Sequence, residues 1–563
     1  MWPSSPAAAW ANRALILRDM GRYEDALMTY NRALTLEPGN ATVWNSRGTL
    51  LREMKQPEEA LANFDRAAQL KPNFVEALYN RGVLQWAAME RYDAAIADLQ
   101  QVLALDPDHD YARGELLHVQ MYGADWRDYA RQKALIDGGV RAGRRVARPF
   151  LYQAVSDAPA DLQACSRIFA AHRYPPTPMW GHTKREHRKI RLGYLSGEFR
   201  EQATAYLMAG LYEMHDRDRF EIIAFDNGGS DNSPMRVRLE AAFDRLIDIS
   251  RLTDRAAAER IHAEEIDILV NLNGYFGLPR MGVFACKPAP IQVNYLGFPA
   301  TLGAPYIDYI LADRTVIPES ERRYYTEQVV WLPDTYQVND SKRPIMEDIP
   351  TRAQVGLPDK RPDNGFVFCN FNQSYKLTPG TFAVWSKILM QVDGSVLWLL
   401  EGTPRFRENL RREAERSGVS AGRLIFAPVI PTHAHLARLK LGDLFLDSLP
   451  YNAHTTASDA LWTGLPLLTC RGTAFAGRVA ASLLGAAGLP ELVTENWQDY
   501  ERLAVALAGD AARLSDLRER LAQNRLTCAL FDTDRFRRNI EAAYLKMWDG
   551  WQRGVPAGPL SVP

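Results

Sequence analysis

No stretch of this chain approaches the roughly 18 uninterrupted apolar residues of a membrane-spanning helix. Cysteine is scarce as well. Cys165, Cys286, Cys369, Cys470 and Cys528 are scattered, odd in number and form no CxxC pair, which excludes a disulfide scaffold and argues against a zinc site. Net charge is almost missing: 67 basic and 68 acidic residues leave −1, so the composition gives no electrostatic case for a nucleic-acid or membrane partner. One local exception, Lys184-Arg185-Glu186-His187-Arg188-Lys189, precedes an expected strand and reads as a solvated linker face in preference to a ligand site. Met1-Trp2-Pro3-Ser4-Ser5-Pro6 lacks the basic segment and apolar stretch of a secretory signal. The expectation is a soluble cytoplasmic protein, and 563 residues leave room for three or four domains of about 150 residues each.

What is present first is a period. Trp10, Trp44 and Leu78 are spaced by 34, as are Ala14, Gly48 and Gly82, while Pro38, Pro72 and Pro107 follow at 34 and 35. The third unit therefore carries one extra residue, near Met89-Glu90. Each unit reads as two amphipathic helices, with a small residue where they approach and a proline where the second one ends. The pattern resembles the tetratricopeptide repeat, whose stacks form a concave groove. Asn12, Ser46 and Asn80 lie two residues before the small position. In this repeat that position faces the groove, where their polar side chains are candidates to bind an extended peptide backbone; polar residues merely tolerated on an exposed face are the alternative. The first repeat begins almost at Met1, a position compatible with earlier repeats lying upstream.

Residues 110–185 read as an irregular helical extension and linker after repeats over 1–109, with Pro175-Pro176-Thr177-Pro178 at the boundary. From Ile190 the pattern becomes short apolar runs alternating with helices, at 190–196, 220–225, 266–271 and 292–296. A second series follows at 365–369, 395–400, 423–426, 443–447 and 466–469. Such alternation implies parallel sheets. The expected fold is an α superhelix followed by two doubly wound lobes, over 186–345 and 346–552, with a ligand cleft beyond the strand ends. A helix over 534–551 is expected to return onto the lobes, and 553–563 reads as a loose tail.

Chemistry concentrates in the second lobe. Asp447-Ser448-Leu449-Pro450-Tyr451-Asn452-Ala453-His454-Thr455-Thr456 runs from a strand end into a helix start, where free N–H groups and hydroxyls make a phosphate site. His454 could donate to a phosphate oxygen, and Asp459, one turn on, could accept ribose hydroxyls. Asn370-Phe371-Asn372-Gln373-Ser374-Tyr375-Lys376 follows another strand, and its lysine could neutralise a diphosphate. His435 and Arg438 share a helix face. His433 and His435 as metal ligands are the weaker reading, since no Cys or carboxylate joins them.

These motifs, with Asn271-Leu272-Asn273-Gly274-Tyr275, Pro288–Val293, Gly297–Ala304 and Asp125-Trp126, are similar to those of the protein O-GlcNAc transferase and SPINDLY family, over nearly the whole chain. The resemblance implies a GT-B fold and an inverting transfer that needs no metal and no cofactor beyond the nucleotide-sugar substrate. It places Lys376 on the diphosphate with Gln373 beside it, His454, Thr455 and Thr456 on diphosphate and sugar, Asp459 on the ribose, His435 stacked on the base and Arg438 fixing it. Two positions depart from the family. Gln202 stands where a His near the acceptor hydroxyl is usual, and an amide cannot titrate near neutral pH. Thr432 stands where animal relatives carry a lysine. Glu198 and Glu201 are nearby carboxylates, read as helix-start charges before a catalytic role.

The leading expectation is transfer of GlcNAc from UDP-GlcNAc to Ser or Thr of a polypeptide held by the repeats. GDP-fucose is the competing donor. A non-catalytic repeat scaffold with a degenerate transferase domain is the alternative of another class.

Overall fold

The computed structural model describes residues 5–184, 186–359 and 365–563; Met1 to Ser4 of the N-terminal segment and Arg185 of the basic run lie outside the described residues. The period becomes three helix pairs: Pro6–Asp19 with Tyr23–Leu36, Ala41–Glu53 with Pro57–Leu70, and Val75–Met89 with Tyr92–Leu105. Ala14, Ala26, Ala60 and Ala95 are fully buried at the helix crossings. A Cβ at Gly48 would stand 2.7 Å from the Phe64 ring and 3.2 Å from the Ala60 carbonyl, so the close approach of that pair needs glycine. The turn inside each pair uses one left-handed residue, Gly21, Lys55 and Glu90. The extra residue of the third unit lies before Glu90, in a first helix of 15 residues against 13 in the second unit.

The chain divides into two units, Met1–Leu151 and Tyr152–Pro563. The helical extension is thus shared out differently from the expected 110–185. Helix Pro159–Arg173 and the proline segment belong with the lobes, where Thr177 N donates to the Ala285 carbonyl (2.9 Å) and Met179 N to that of Cys286 (3.0 Å). His187 of the basic run is pinned to Asp267 (2.9 Å), so this residue braces the first strand instead of standing free in solvent.

The second unit holds two all-parallel sheets. Eight strands make the first: β1 (Ile190–Ser196), β2 (Phe220–Asp226), β3 (Arg245–Asp248), β4 (Ile268–Asn271), β5 (Ile291–Asn294), β6 (Tyr309–Ala312), β7 (Gln328–Trp331) and β14 (Leu560–Ser561). Six make the second: β8 (Val367–Asn370), β9 (Val396–Leu400), β10 (Leu424–Ala427), β11 (Leu444–Leu446), β12 (Leu467–Cys470) and β13 (Val493–Thr494). Their central strands are buried on both faces, which is why they read as continuous apolar runs and not as alternation.

The orders are β3-β2-β1-β4-β5-β6-β7-β14 and β10-β9-β8-β11-β12-β13. Each sheet therefore runs third, second, first, then fourth onward, the doubly wound order whose reversal lies between its first and fourth strands. That places the two switch points at β1/β4 and β8/β11.

Helix Thr533–Gln552 returns onto the first lobe. His215 sits fully buried between Tyr194 Oη (2.9 Å) and Glu541 Oε1 (2.9 Å), fastening the helix to the sheet. The expected loose tail is not loose. Leu560 and Ser561 pair with Val330 and Trp331, and Val562 N donates to the Trp331 carbonyl, because the edge of β7 offers unpaired backbone groups.

Replacing Gly48 by Val is expected to cost about 1–3 kcal/mol by overpacking against Phe64. Gly39→Ala, where a Cβ would meet nothing within 4 Å, is the control. Denaturant unfolding of the two variants checks this, and equal midpoints would contradict the tight crossing.

Candidate active site

The site starts from the ends of β8 and β11. Beyond β8 the chain turns through Phe371–Lys376; beyond β11 it runs Asp447–His454 into helix Thr455–Trp462. Asn372 joins the two. Its Nδ2 donates to Ser448 Oγ (3.1 Å), and its Oδ1 accepts from Thr456 Oγ1 (2.6 Å). Asn370 Nδ2 donates to the Leu446 carbonyl (2.8 Å). Lys376 Nζ donates to the Asn452 carbonyl (3.0 Å) and lies 4.0 Å from the centre of the Tyr451 ring. The lysine and the helix start thus stand together at the switch point, where the helix presents free N–H groups.

Asp447 shapes the loop. It is buried, and its carboxylate accepts from Ser448 N (2.8 Å), Ala453 N (2.6 Å) and Thr469 Oγ1 (2.7 Å). Burial raises its pKa against those three bonds. Burial also pushes the Lys376 ammonium down to about 7, opposed by Asp447. The lysine is therefore close to losing its proton at neutral pH, and a bound anion would favour the ammonium.

The Nε2 of His454 lies 3.0 Å from the Ala476 carbonyl. A carbonyl only accepts, so Nε2 carries the proton, and burial, reinforced by Lys376, keeps the ring neutral. His454 offers Nδ1 as an acceptor and does not donate to phosphate in this arrangement. His435 Nδ1 accepts from Arg438 Nε (2.9 Å), its ring meets Phe371 edge-on at 5.0 Å, and burial pushes its pKa to about 4. Arg438 is buried and also donates to the Pro428 carbonyl (2.6 Å), so it holds His435 and the loop in place. Asp459 is ion-paired with Arg343 of the segment that joins the lobes. Gln373 is exposed at the turn before Lys376, and Thr455 is half-buried at the helix start.

In the first lobe Gln202 caps helix Ala203–Met214 and is exposed, with no side-chain capping bond. Glu198 is buried and accepts from Thr204 Oγ1 (2.5 Å), which fixes the loop before that helix; burial raises its pKa. Asn273 Oδ1 accepts from Gly197 N (2.9 Å), tying the ends of β1 and β4. Gly277 has a φ of +63°, and a Cβ there would lie 3.0 Å from Glu198 Oε1. One turn past Gln202, Tyr206 is half-buried, and burial raises its pKa while nearby Thr432 of the second lobe opposes the rise.

In the repeat unit Asn12 is exposed, whereas the other two candidates have partners. Ser46 is half-buried near Tyr30, whose pKa it lowers against burial, and Asn80 Nδ2 donates to Asn45 Oδ1 (3.0 Å). They form part of a ladder between repeats.

Sequence reasoning assigned no role to Arg343, Asn372 or Tyr206. Asn372 had a signal in the Asn-x-Asn spacing at a strand end. Arg343 had none, because its partner is 116 residues away.

Two doubly wound lobes with a built site at the second switch point, preceded by tetratricopeptide repeats, define a repeat-bearing protein of the GT-B fold class. Comparisons narrow this. The profile of glycosyl transferase family 41 matches residues 154–352 and 342–540, and two tetratricopeptide-repeat profiles match 5–73 and 45–110. The chain belongs to glycosyl transferase family 41. It is 35% identical over 457 residues to the probable UDP-N-acetylglucosamine–peptide N-acetylglucosaminyltransferase SEC of Arabidopsis thaliana, covering 77% of this chain and 46% of that protein. It is 30% identical to the Arabidopsis protein of the same printed activity named SPINDLY, over 69% of this chain and 44% of that one. The chain thus spans less than half the length of these curated relatives. A solved Thermobaculum terrenum O-GlcNAc transferase mutant superposes with a TM-score of 0.71 at 28% identity, covering 98% of this chain and 99% of that one. Among the described residues no helix is long and apolar enough to cross a membrane.

The Lys376 pKa near 7 gives a signed expectation. A pyrophosphate beside Nζ favours the ammonium, so binding takes up a proton. Affinity for a nucleoside diphosphate such as UDP is expected to be greatest between about pH 6 and 7, above the phosphate's own ionisation near 6, and to weaken by up to about tenfold per unit from pH 7 to 9. Calorimetry in buffers of different ionisation enthalpy checks this, and a flat affinity over that range contradicts it.

Proposed function

We propose that this protein transfers a sugar from a nucleotide donor to a Ser or Thr hydroxyl of a polypeptide, inverting the anomeric centre and using no metal. The observation that carries the reading is the meeting of Lys376 Nζ with the Asn452 carbonyl at the mouth of helix Thr455–Trp462 (3.0 Å). A lysine and a helix start around one small volume suit an anion such as a pyrophosphate. UDP-GlcNAc is the first donor, an activity that the printed names of the relatives carry; GDP-fucose competes with it.

In this reading the acceptor hydroxyl attacks the anomeric carbon. The bond to the phosphate oxygen breaks, and the nucleoside diphosphate leaves with the electron pair, stabilised by Lys376 and the N–H groups of Thr455 and Thr456. His454 accepts a sugar hydroxyl at Nδ1, and Gln373 lies beside the phosphates. Gln202 positions the acceptor hydroxyl through its amide but cannot take its proton. Glu198 is committed to Thr204, so the proton passes to an oxygen of the departing phosphate. The polypeptide is held by the repeats, with Asn12, Ser46 and Asn80 on the binding face. The setting is the cytoplasm, and neither nucleic acid nor a membrane takes part.

A panel of UDP- and GDP-sugars, read by thermal shift and donor hydrolysis, tests the assignment. UDP-GlcNAc should stabilise most; stabilisation by GDP-fucose alone would move the donor, and no effect from any would leave a scaffold. Lys376→Ala should lower transfer by about 100-fold or more with an unchanged unfolding midpoint of the repeats. Gln202→His should raise the rate if the acceptor reacts beside Gln202. An unaltered rate would place the acceptor chemistry elsewhere.

A further inference from the structure

Between the lobes the chain runs along the openings of both donor-side helices. Gln337 Nε2 donates to Ser458 Oγ (2.6 Å), Arg343 Nη2 reaches Asp459 Oδ1, and Met346 N donates to the His433 carbonyl (3.1 Å). Arg343 is the unusual member. Its side chain is 3% exposed, yet its Nε and Nη1 are buried with no hydrogen-bond partner among the described residues. An unpaired buried donor costs free energy, and on a cation more so. Arg47, Arg200, Arg217 and Arg525 each leave one such nitrogen, whereas Arg343 leaves two, both open to a partner that the folded chain does not supply.

The pairing limits what that partner is. With Asp459 held on Nη2, the two side chains form a neutral unit that presents N–H donors beside the second carboxylate oxygen, Oδ2. A phosphate oxygen only accepts, and it would face the carboxylate at a cost. A vicinal diol fits, because one hydroxyl accepts from the guanidinium while its neighbour donates to Oδ2. Its aspartate lies on helix Thr455–Trp462, one turn beyond the proposed pyrophosphate position, and both charges of the pair act on His435.

We propose that Arg343 and Asp459 together read the ribose 2′,3′-diol of the donor, and that Arg343 is a specificity-determining residue of the site. The inference rests on the donor reading above. It assigns to a pair what a lone aspartate was expected to do.

The probes are UDP and GDP with their 2′-deoxy forms, titrated into the full chain by calorimetry. The natural protein should bind the ribonucleotide at least about tenfold more tightly than its deoxy counterpart. In Arg343→Lys, which keeps the charge and the ion pair but loses the fork, the ratio should fall towards one. In Arg343→Met with Asp459→Asn, which removes both charges together, it should do the same, with unfolding midpoints reporting that each variant folds. An unchanged ribose preference in both folded variants overturns the inference. Equal losses for UDP, 2′-deoxy-UDP and inorganic pyrophosphate would make Arg343 a phosphate contact and overturn it as well. Binding of neither nucleotide by the natural protein would defeat the donor reading itself, which separates the two failures.

Discussion

Asn372 carries the bonds to Thr456 and Ser448, and Lys376 carries the one to the Asn452 carbonyl. Together they sew the ends of β8 and β11 across the gap where the strand order reverses. Everything on the donor side depends on that seam. A doubly wound sheet leaves a crevice at its reversal whatever the sequence. Here the two loops that line it are locked to each other, so a half-buried ammonium and a helix start stay in one place before any ligand arrives. Preorganisation of this kind is what electrostatic stabilisation of a leaving group requires.

The seam has a cost in desolvation that its neighbours offset. Asp447 is buried at the heart of the loop, and three hydrogen bonds and the nearby lysine support it. Burial lowers the proton affinity of Lys376, His435 and His454. The two imidazoles therefore stay neutral at physiological pH, which leaves the lysine as the one member of this trio that a bound anion can recharge. In the proposed reaction, that recharged amine supplies the positive charge that the leaving phosphate needs.

Much of this was legible in the chain. The 34-residue spacing gave the repeats because their small residues and prolines act locally, and the two apolar series gave the lobes because buried parallel strands need no partner to be recognised. Lys376 and His454–Thr456 were found from strand ends and a helix start. The strands β3, β6, β7, β13 and β14 were not, since they are short and lie towards the edges of their sheets. The tail pairs only because β7 has an open edge. Arg343 was missed for the same reason as the true setting of Asp459: an ion pair between residues 116 apart leaves no local pattern. His454 was given a donor's role because its second contact, the Ala476 carbonyl, comes from a loop 22 residues on.

The central claim is spatial, and a crystal structure of the full chain with a bound nucleoside diphosphate tests it most directly. The account predicts terminal-phosphate oxygens about 3 Å from Lys376 Nζ and from the N–H groups that open helix Thr455–Trp462, with Nζ drawn off the Asn452 carbonyl. A nucleotide lodged at the β1/β4 reversal, or one whose phosphates point away from Lys376, would contradict it.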